Sequence, residues 1–209
     1  MNPSSPQALL QVRALTWQTP GGATLAGLDA DFAPGLTLLV DAEGEAKTPL
    51  LQLLAGERPP GAGTVHWRGQ DISALLVAER ATQVFWRDPR APWPEITPVQ
   101  WARELAARYG TWRPGDWAAH LAGLGLVEHQ DKEMFRLSTG SQRKVLLAAA
   151  LASGAPLTLI DEPEAALDWA SIACLRQALA SLADSGRVFA VAHYEPVPDV
   201  PWAQQLHLG

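Results

Sequence analysis

Short runs of apolar residues alternate with longer helix-like segments along this chain. The apolar runs contain no polar alternation, and they predict buried strands over 36–40, 157–160 and 188–192. Helical spacing predicts helices over 50–55, 141–152 and 170–184. Buried strands that alternate with helices are typical of a parallel sheet, so the pattern predicts an α/β fold.

The middle of the chain departs from this alternation. Residues 64–68 alternate between polar and apolar types before Gly69, which predicts an exposed antiparallel strand. Residues 97–125 have helical spacing and are rich in tryptophan. We therefore expect a single domain over 1–209, in which about 88–152 form a helical insertion.

Composition and charge exclude several classes of protein. The chain is 47% hydrophobic and 18% charged, which is typical of a globular domain, and its net charge of −6 argues against nucleic acid as a partner. No run approaches the roughly 20 apolar residues of a membrane span, and the first residues lack the pattern of a secretion signal. With Cys174 as its single cysteine, the chain is expected to be cytoplasmic, although it could dock on a membrane protein.

The segment between the first buried strand and its helix resembles a phosphate-binding loop. Its sequence, Asp-Ala-Glu-Gly-Glu-Ala-Lys-Thr over 41–48, aligns with the pattern G-x-x-x-x-G-K-[ST]. Lys47, Thr48 and the interior Gly44 fit, whereas Asp41 and Ala46 stand where the two defining glycines belong. In such a loop backbone amides bind phosphate, the lysine adds charge and the hydroxyl binds magnesium. A Lys-Thr pair at a helix start is weak support by itself.

Two carboxylates follow the second buried strand. Asp161 and Glu162 end the apolar run and precede Pro163, so they are expected at the carboxyl edge of the sheet. There Asp161 could hold magnesium, and Glu162 could act as a base toward water. The alternative is a solvated turn with no chemistry.

The segment 137–144, Leu-Ser-Thr-Gly-Ser-Gln-Arg-Lys, resembles the LSGGQ signature of the ATP-binding cassette (ABC) family. The order of phosphate loop, signature, acidic strand end, the Ala-Ala-Leu-Asp stretch at 165–168 and His193 after a strand is similar to that family over essentially the whole chain. The resemblance implies a P-loop NTPase core of ABC type, with an antiparallel β subdomain and a helical insertion. A looser resemblance is to the cytochrome c haem-export ATPases.

The resemblance implies ATP and Mg²⁺ as ligands, and it implies a role for each matching residue. The roles within one chain are adenine stacking by Trp17, phosphate binding by Lys47, phosphate and magnesium binding by Thr48, magnesium binding through water by Asp161, positioning of the attacking water by Glu162, and contact with the γ-phosphate by His193.

Other implied roles need a second chain. In the family Ser138 and Gly140 would close on ATP held by the opposite subunit, and Asp168 would lie at the same interface. The implied partners are a second cassette, identical or paralogous, and separate transmembrane permease subunits. The chain would then lie on the inner face of the cell membrane, attached through those subunits.

The phosphate loop departs from the family pattern at the residues that would surround the phosphates. Pro49 is tolerated in a first helical turn but has no N–H, and losing one amide-to-anion bond costs on the order of 1.5–3 kcal/mol. Asp41, Glu43 and Glu45 add carboxylates, and a unit charge at about 8 Å opposes a phosphate charge by roughly 2 kcal/mol. These changes oppose ATP binding, whereas magnesium and Lys47 favour it.

The glutamine that senses the γ-phosphate in the family is missing from its expected place. That place falls on Arg87 or Asp88, whereas Gln83 lies too early, in the preceding strand. Asp88 could still bind magnesium as a carboxylate, and Arg87 could bind only phosphate. The stretch 86–101, with its prolines, is expected to face the partner.

Three functions compete. The first is an ATPase that drives transport, which the retained Lys47, Thr48, Asp161, Glu162 and His193 favour. The second is a catalytically weakened or regulatory cassette that pairs with a competent partner, which the altered phosphate loop favours. The third is a P-loop enzyme such as a small-molecule kinase, against which the signature segment and His193 argue. We predict the first.

Overall fold

A computed structural model describes residues 8–18, 24–43 and 45–208 of the chain. The strands are β1 (Leu10–Gln18), β2 (Thr24–Phe32), β3 (Gly35–Val40), β4 (Ala62–Trp67), β5 (Gln70–Asp71), β6 (Val84–Phe85), β7 (Leu157–Asp161), β8 (Val188–His193) and β9 (Gln204–His207). The helices are α1 (Lys47–Leu54), α2 (Val77–Gln83), α3 (Pro98–Arg108), α4 (Pro114–Gly123), α5 (Thr139–Ala152) and α6 (Trp169–Ser181), with short 3₁₀ turns at Val127–His129 and Met134–Arg136.

The strands form two sheets. One is parallel, in the order β6-β7-β8-β3-β9, and the other is antiparallel, in the order β2-β1-β4-β5. Strands β3, β7 and β8 are buried at every residue, because helices cover one face of the parallel sheet and the antiparallel sheet lies over the other.

Two apolar clusters lie on the two faces of the parallel sheet. Side chains alternate along each strand, so in β8 Phe189 and Val191 face one cluster while Val188 and Ala190 face the other. The first cluster joins the sheet to α3, α4, α5 and α6. The second encloses α1 between the parallel and antiparallel sheets. Because α1 is enclosed, the position of its first turn at the sheet edge is fixed.

The buried guanidinium of Arg187 fastens the end of α5 to the parallel sheet. It lies just before β8, is 5% exposed, and burial lowers its pKa to about 10. All its hydrogen-bond partners are neutral oxygens, on Ala150, Leu151, Ser153, Ala155 and Thr158. Arg187 thereby binds two carbonyls of the last turn of α5, those of Ala150 and Leu151.

The predicted strands and helices of the parallel sheet are confirmed, with shifted ends. Helix α6 stops at Ser181 rather than 184, because turns follow and lead to Gly186, which has φ +74°. The prediction that Gln83 lies in a strand is wrong. Gln83 is the last residue of α2, and its side chain accepts a hydrogen bond from Trp67 Nε1. Strands β2 and β9 were not predicted individually, because neither is a continuous apolar run.

Candidate nucleotide site

The residues predicted to carry chemistry follow three neighbouring strands. Asp41 follows β3, Asp161 ends β7 with Glu162 after it, and His193 ends β8. In the parallel register Val40 is opposite His193 and Ala192 is opposite Asp161, so the three strand ends are level. Ligands of parallel sheets bind at this carboxyl edge, and here α1 begins at the same edge.

Thr48 and Asp161 meet although they are far apart in sequence. The Thr48 hydroxyl donates to Asp161 Oδ2 at 2.5 Å. Asp161 is 7% exposed, and burial raises the pKa of its carboxyl, partly opposed by the bond from Thr48. A hydroxyl and a carboxylate in contact are hard oxygen donors of the kind that Mg²⁺ binds. This pair therefore fits a magnesium ion held together with phosphates.

Glu162 lies between a lysine and a histidine. Its Oε1 is 2.8 Å from Lys47 Nζ, and its Oε2 is 3.7 Å from His193 Nε2. His193 Nδ1 lies 2.9 Å from the Glu195 carbonyl oxygen and 3.2 Å from the Glu195 backbone nitrogen, and these contacts fix the ring from its other side. Glu162 has φ +46°, a left-handed conformation that non-glycine residues rarely adopt. This turn directs the carboxylate toward Lys47 and His193.

The buried side chain of Asp41 binds a backbone amide of the phosphate loop, a contact that the sequence did not reveal. It is 3% exposed, and its Oδ2 accepts the Ala46 backbone N–H at 2.8 Å. Its carbonyl oxygen accepts Lys47 Nζ at 3.1 Å. Because Pro49 has no N–H, only the amides of Lys47 and Thr48 remain to donate to a phosphate among residues 46–49.

The first turn of α1 and the start of α5 line a common cavity of about 330 Å³. Its walls combine cations and carboxylates with a few apolar side chains, and they include Lys47, Thr48, Asp161, Glu162, Arg90, Arg143, Thr139 and Trp93. A second cavity of about 510 Å³ is lined by Ala46, β2 residues 25–29, His207 and Leu208. Ala46 lines this second cavity, and Lys47, the next residue, lines the first.

The signature segment begins α5. Ser138 is the N-cap residue, and its Oγ accepts the Ser141 N–H at 3.2 Å. A Cβ built on Gly140 would lie 2.7 Å from the carbonyl oxygen of Ala166. The chain's own packing therefore requires glycine here, whatever a partner subunit requires.

Asp168 has a structural role that the sequence did not reveal. It caps α6, where its carboxylate accepts the Ser171 N–H at 2.9 Å, and it accepts Lys144 Nζ of α5 at 2.6 Å. The bond from Lys144 and those from Ser171 hold the pKa of Asp168 far below its usual range. The side chain is nevertheless 57% exposed, so it can also contact a partner.

The remaining predicted residues lie around these groups. Trp17 is half-buried on β1 opposite Leu25, and the Arg58 guanidinium covers its ring at 4.7 Å. Glu45 is exposed beside Ala46, and Gly44 lies outside the described residues. Asp88 accepts a hydrogen bond from the Arg90 N–H and lines a neighbouring groove rather than the cavity of Thr48 and Asp161.

Comparisons with known proteins agree with this arrangement. Residues 27–165, more than half of the chain, match the ABC transporter family. The chain belongs to that family. It is an ATP-binding subunit of the ABC type, and nucleotide binding belongs to this family.

Several relatives of this ABC subunit are similar over most of their length. The cytochrome c biogenesis ATP-binding export protein CcmA of Nitrosomonas europaea is 31% identical and is matched over 98% of each chain. ABC transporter I family member 1 of Arabidopsis thaliana is 31% identical, over 83% of this chain and 76% of that protein. A dimeric ATP-binding cassette, solved in a post-hydrolysis state with ADP and phosphate, has a TM-score of 0.73 at 18% identity, over 89% of this chain and 88% of that one.

Two further observations concern the described part of this ABC subunit. None of the helices in the described residues is long and apolar enough to cross a bilayer. Among those same residues no group of three His, Cys, Asp or Glu side chains forms a protein-only metal site.

Sequence reasoning missed one residue of the site. Arg143, on α5, donates from Nη2 to the carbonyl oxygens of Asp161, at 2.8 Å, and Glu162. Burial lowers the pKa of its guanidinium, partly opposed by the nearby carboxylates. Its position one turn after the signature glycine was the available signal.

The predicted binding of phosphate by Arg87 is not favoured, because that guanidinium donates to the Ala91 and Pro92 carbonyls.

Proposed function

We propose that this ABC subunit binds ATP with Mg²⁺, hydrolyses it at an interface between two cassettes, and drives transport through separate membrane subunits. The observation that carries the proposal is the position of Glu162, whose carboxylate lies between Lys47 and His193 at the sheet edge where Thr48 meets Asp161. Hydrolysis requires a base beside the phosphate-binding lysine, and this cluster supplies both groups.

The proposed mechanism begins with the Lys47–Glu162 ion pair. Phosphates compete with Glu162 for Lys47 Nζ, because a polyphosphate carries more negative charge than one carboxylate. Glu162 is then available to accept a proton from water at its carboxylate oxygen. His193 Nε2 lies on the opposite side of that carboxylate and can donate to a phosphate oxygen. Magnesium, bound by Thr48 and Asp161, would neutralise phosphate charge.

The second cassette completes the site in this proposal. Ser138, Thr139 and Gly140 begin α5, and the helix N-terminus favours binding of an anion. Thr139 is exposed at the first residue of α5, so it is accessible to a nucleotide held by another cassette. The exposed carboxylate of Asp168 belongs to the same proposed interface.

We assign the membrane partner to a groove beside α3. Two adjoining hollows, of about 260 and 160 Å³, share Glu57, Trp86, Arg108 and Tyr109. The first is also lined by Arg87 and Trp101, within the stretch 86–101 predicted to face the partner. Docking there would attach the chain to the inner face of the membrane. The names of relatives support export in cytochrome c biogenesis as the transport that it drives.

A weakened or regulatory cassette is the second candidate. The bond from the Ala46 N–H to Asp41 favours it, because that amide is no longer available to a phosphate. In this alternative the signature segment of this chain would serve a competent partner, while its own phosphate loop would bind ATP poorly.

Measurement of ATP affinity and turnover separates the candidates. The purified chain would be assayed alone and with the membrane and cassette subunits encoded beside it. Turnover that requires Mg²⁺ and Glu162 supports hydrolysis by this chain. Turnover that persists in the assembled complex when Glu162 is replaced assigns hydrolysis to the partner and supports the regulatory role.

A further inference from the structure

Two arginines, Arg87 and Arg143, lie behind the catalytic edge of the sheet. Arg143 reaches from α5 to the carbonyl oxygens on both sides of the turn at Glu162. The Glu162 N–H is held from the other direction by Ala192 of β8, at 2.8 Å. The left-handed conformation of Glu162 is disfavoured by itself, so these contacts must maintain it.

A small void joins the two arginines. The space in it that is open to the centre of a water molecule is about 10 Å³, roughly the least that holds one water, and Arg87, Arg143 and Asp161 line it together with apolar side chains. Three buried side-chain nitrogen or oxygen atoms among the described residues make no hydrogen bond, and they belong to these three residues: Arg87 Nε, Arg143 Nε and Asp161 Oδ1. One water there would accept from both Nε–H groups and donate to the carboxylate.

Arg87 also borders the outer groove. It lines the hollow formed with Trp86, Trp101 and Arg108, and its guanidinium covers the ring of Trp93 at 4.1 Å. Trp93 in turn lines the main cavity. Arg87 therefore lies in the wall between the proposed docking groove and Asp161.

We propose that Arg143 is a positioning residue for Glu162 and that Arg87, across the water-sized void, couples it to the outer groove. The inference rests on the proposed role of Glu162 as base. Arg143 acts on the backbone of the Glu162 turn, and Arg87 acts through Arg143. Movement of the groove wall would thus change the orientation of the base without any contact with the nucleotide.

Methionine variants test this, because methionine retains an apolar stem but has no donor. Arg143→Met should lower kcat between about tenfold and a hundredfold, since a displaced catalytic group costs that much, and should leave the Kd for Mg-ATP within about twofold. Arg143→Lys should recover part of kcat. Arg103→Met, at an exposed arginine of α3, is the matched control and should match the parent.

A double-mutant cycle tests the coupling. Arg87→Met should lower kcat about threefold in the parent and have no effect in Arg143→Met, because residues in one network are not additive. Independent effects that multiply would overturn the coupling. Unchanged kcat in Arg143→Met, or loss of kcat and affinity together in both Arg143 variants, would overturn the positioning role. Absence of turnover in the wild-type chain with its partners would instead overturn the proposed function, and this inference with it.

Discussion

The phosphate loop, residues 41–49, and the acidic pair, Asp161 and Glu162, lie at one edge of the same sheet. They differ in how many of the family's functional groups they retain. At the acidic pair both the side chains and their contacts suit catalysis, with Thr48, Lys47 and His193 in place. In the loop the lysine and threonine are retained, but the backbone donors are reduced. Binding and chemistry therefore depend on separate parts of the site, and variants can separate them.

The largest expected effect is at the acidic pair. Glu162→Gln should lower turnover by on the order of 10²-fold or more, because it removes the group that accepts the proton, while Mg-ATP binding is retained. Steady-state turnover and equilibrium binding on the same preparation measure this. Parent-like turnover in the glutamine variant would refute the assignment of Glu162 as base.

The next effect concerns the loop. Asp41→Gly, Ala46→Gly and Pro49→Thr together should tighten ATP binding by about tenfold or more, because they free one amide, add a second and remove a carboxylate. Titration calorimetry with ATP measures the change. Asp41→Asn is the matched control, since its amide oxygen can still accept the Ala46 N–H while the charge is lost. Equal or weaker affinity in the triple variant would mean that the altered loop binds phosphate in another way.

A smaller effect is expected on ATP-dependent association when the proposed interface between cassettes is altered. Gly140 is unsuitable for this test because any side chain meets Ala166. Thr139→Glu adds a carboxylate at the first turn of α5, which stabilises the helix but repels the partner's nucleotide. In a Glu162→Gln background, at ATP concentrations that saturate each variant's own site, it should weaken ATP-dependent association by roughly fivefold to tenfold, measured by sedimentation, with Thr139→Gln as neutral control. If ATP fails to promote association in any combination of subunits, the dimeric mechanism is wrong.

The smallest effect is on stability without nucleotide. Burial raises the pKa of the Asp161 carboxyl, so the folded chain binds the proton of that carboxyl more tightly than the unfolded chain does. The contribution of Asp161 to the free energy of unfolding therefore falls as pH rises above the usual aspartate pKa. Asp161→Asn should therefore raise Tm by a few degrees at pH 7, and the gain should shrink toward pH 4. A lower Tm for Asp161→Asn at pH 7 would show that the carboxylate stabilises the fold.

The sequence predicted the parallel core and the residues at its edge, because continuous apolar runs mark buried strands and the chemistry follows their ends. It could not predict that Asp41 turns its carboxylate onto the Ala46 amide, since that depends on the path of the loop. Arg143 was missed for a similar reason. Its place one turn after the signature glycine could have drawn attention to it, but its target is the backbone of a turn distant in sequence, which that place does not reveal.

The two ends of α5 are fastened by chemically different contacts. Near its start, Lys144 and Asp168 form an ion pair whose carboxylate is exposed, so dissolved ions weaken it. At its far end, Arg187 is enclosed and bound to neutral oxygens, so dissolved ions have little access to it. Rising ionic strength should therefore weaken the Lys144–Asp168 contact and leave the contacts of Arg187 unchanged.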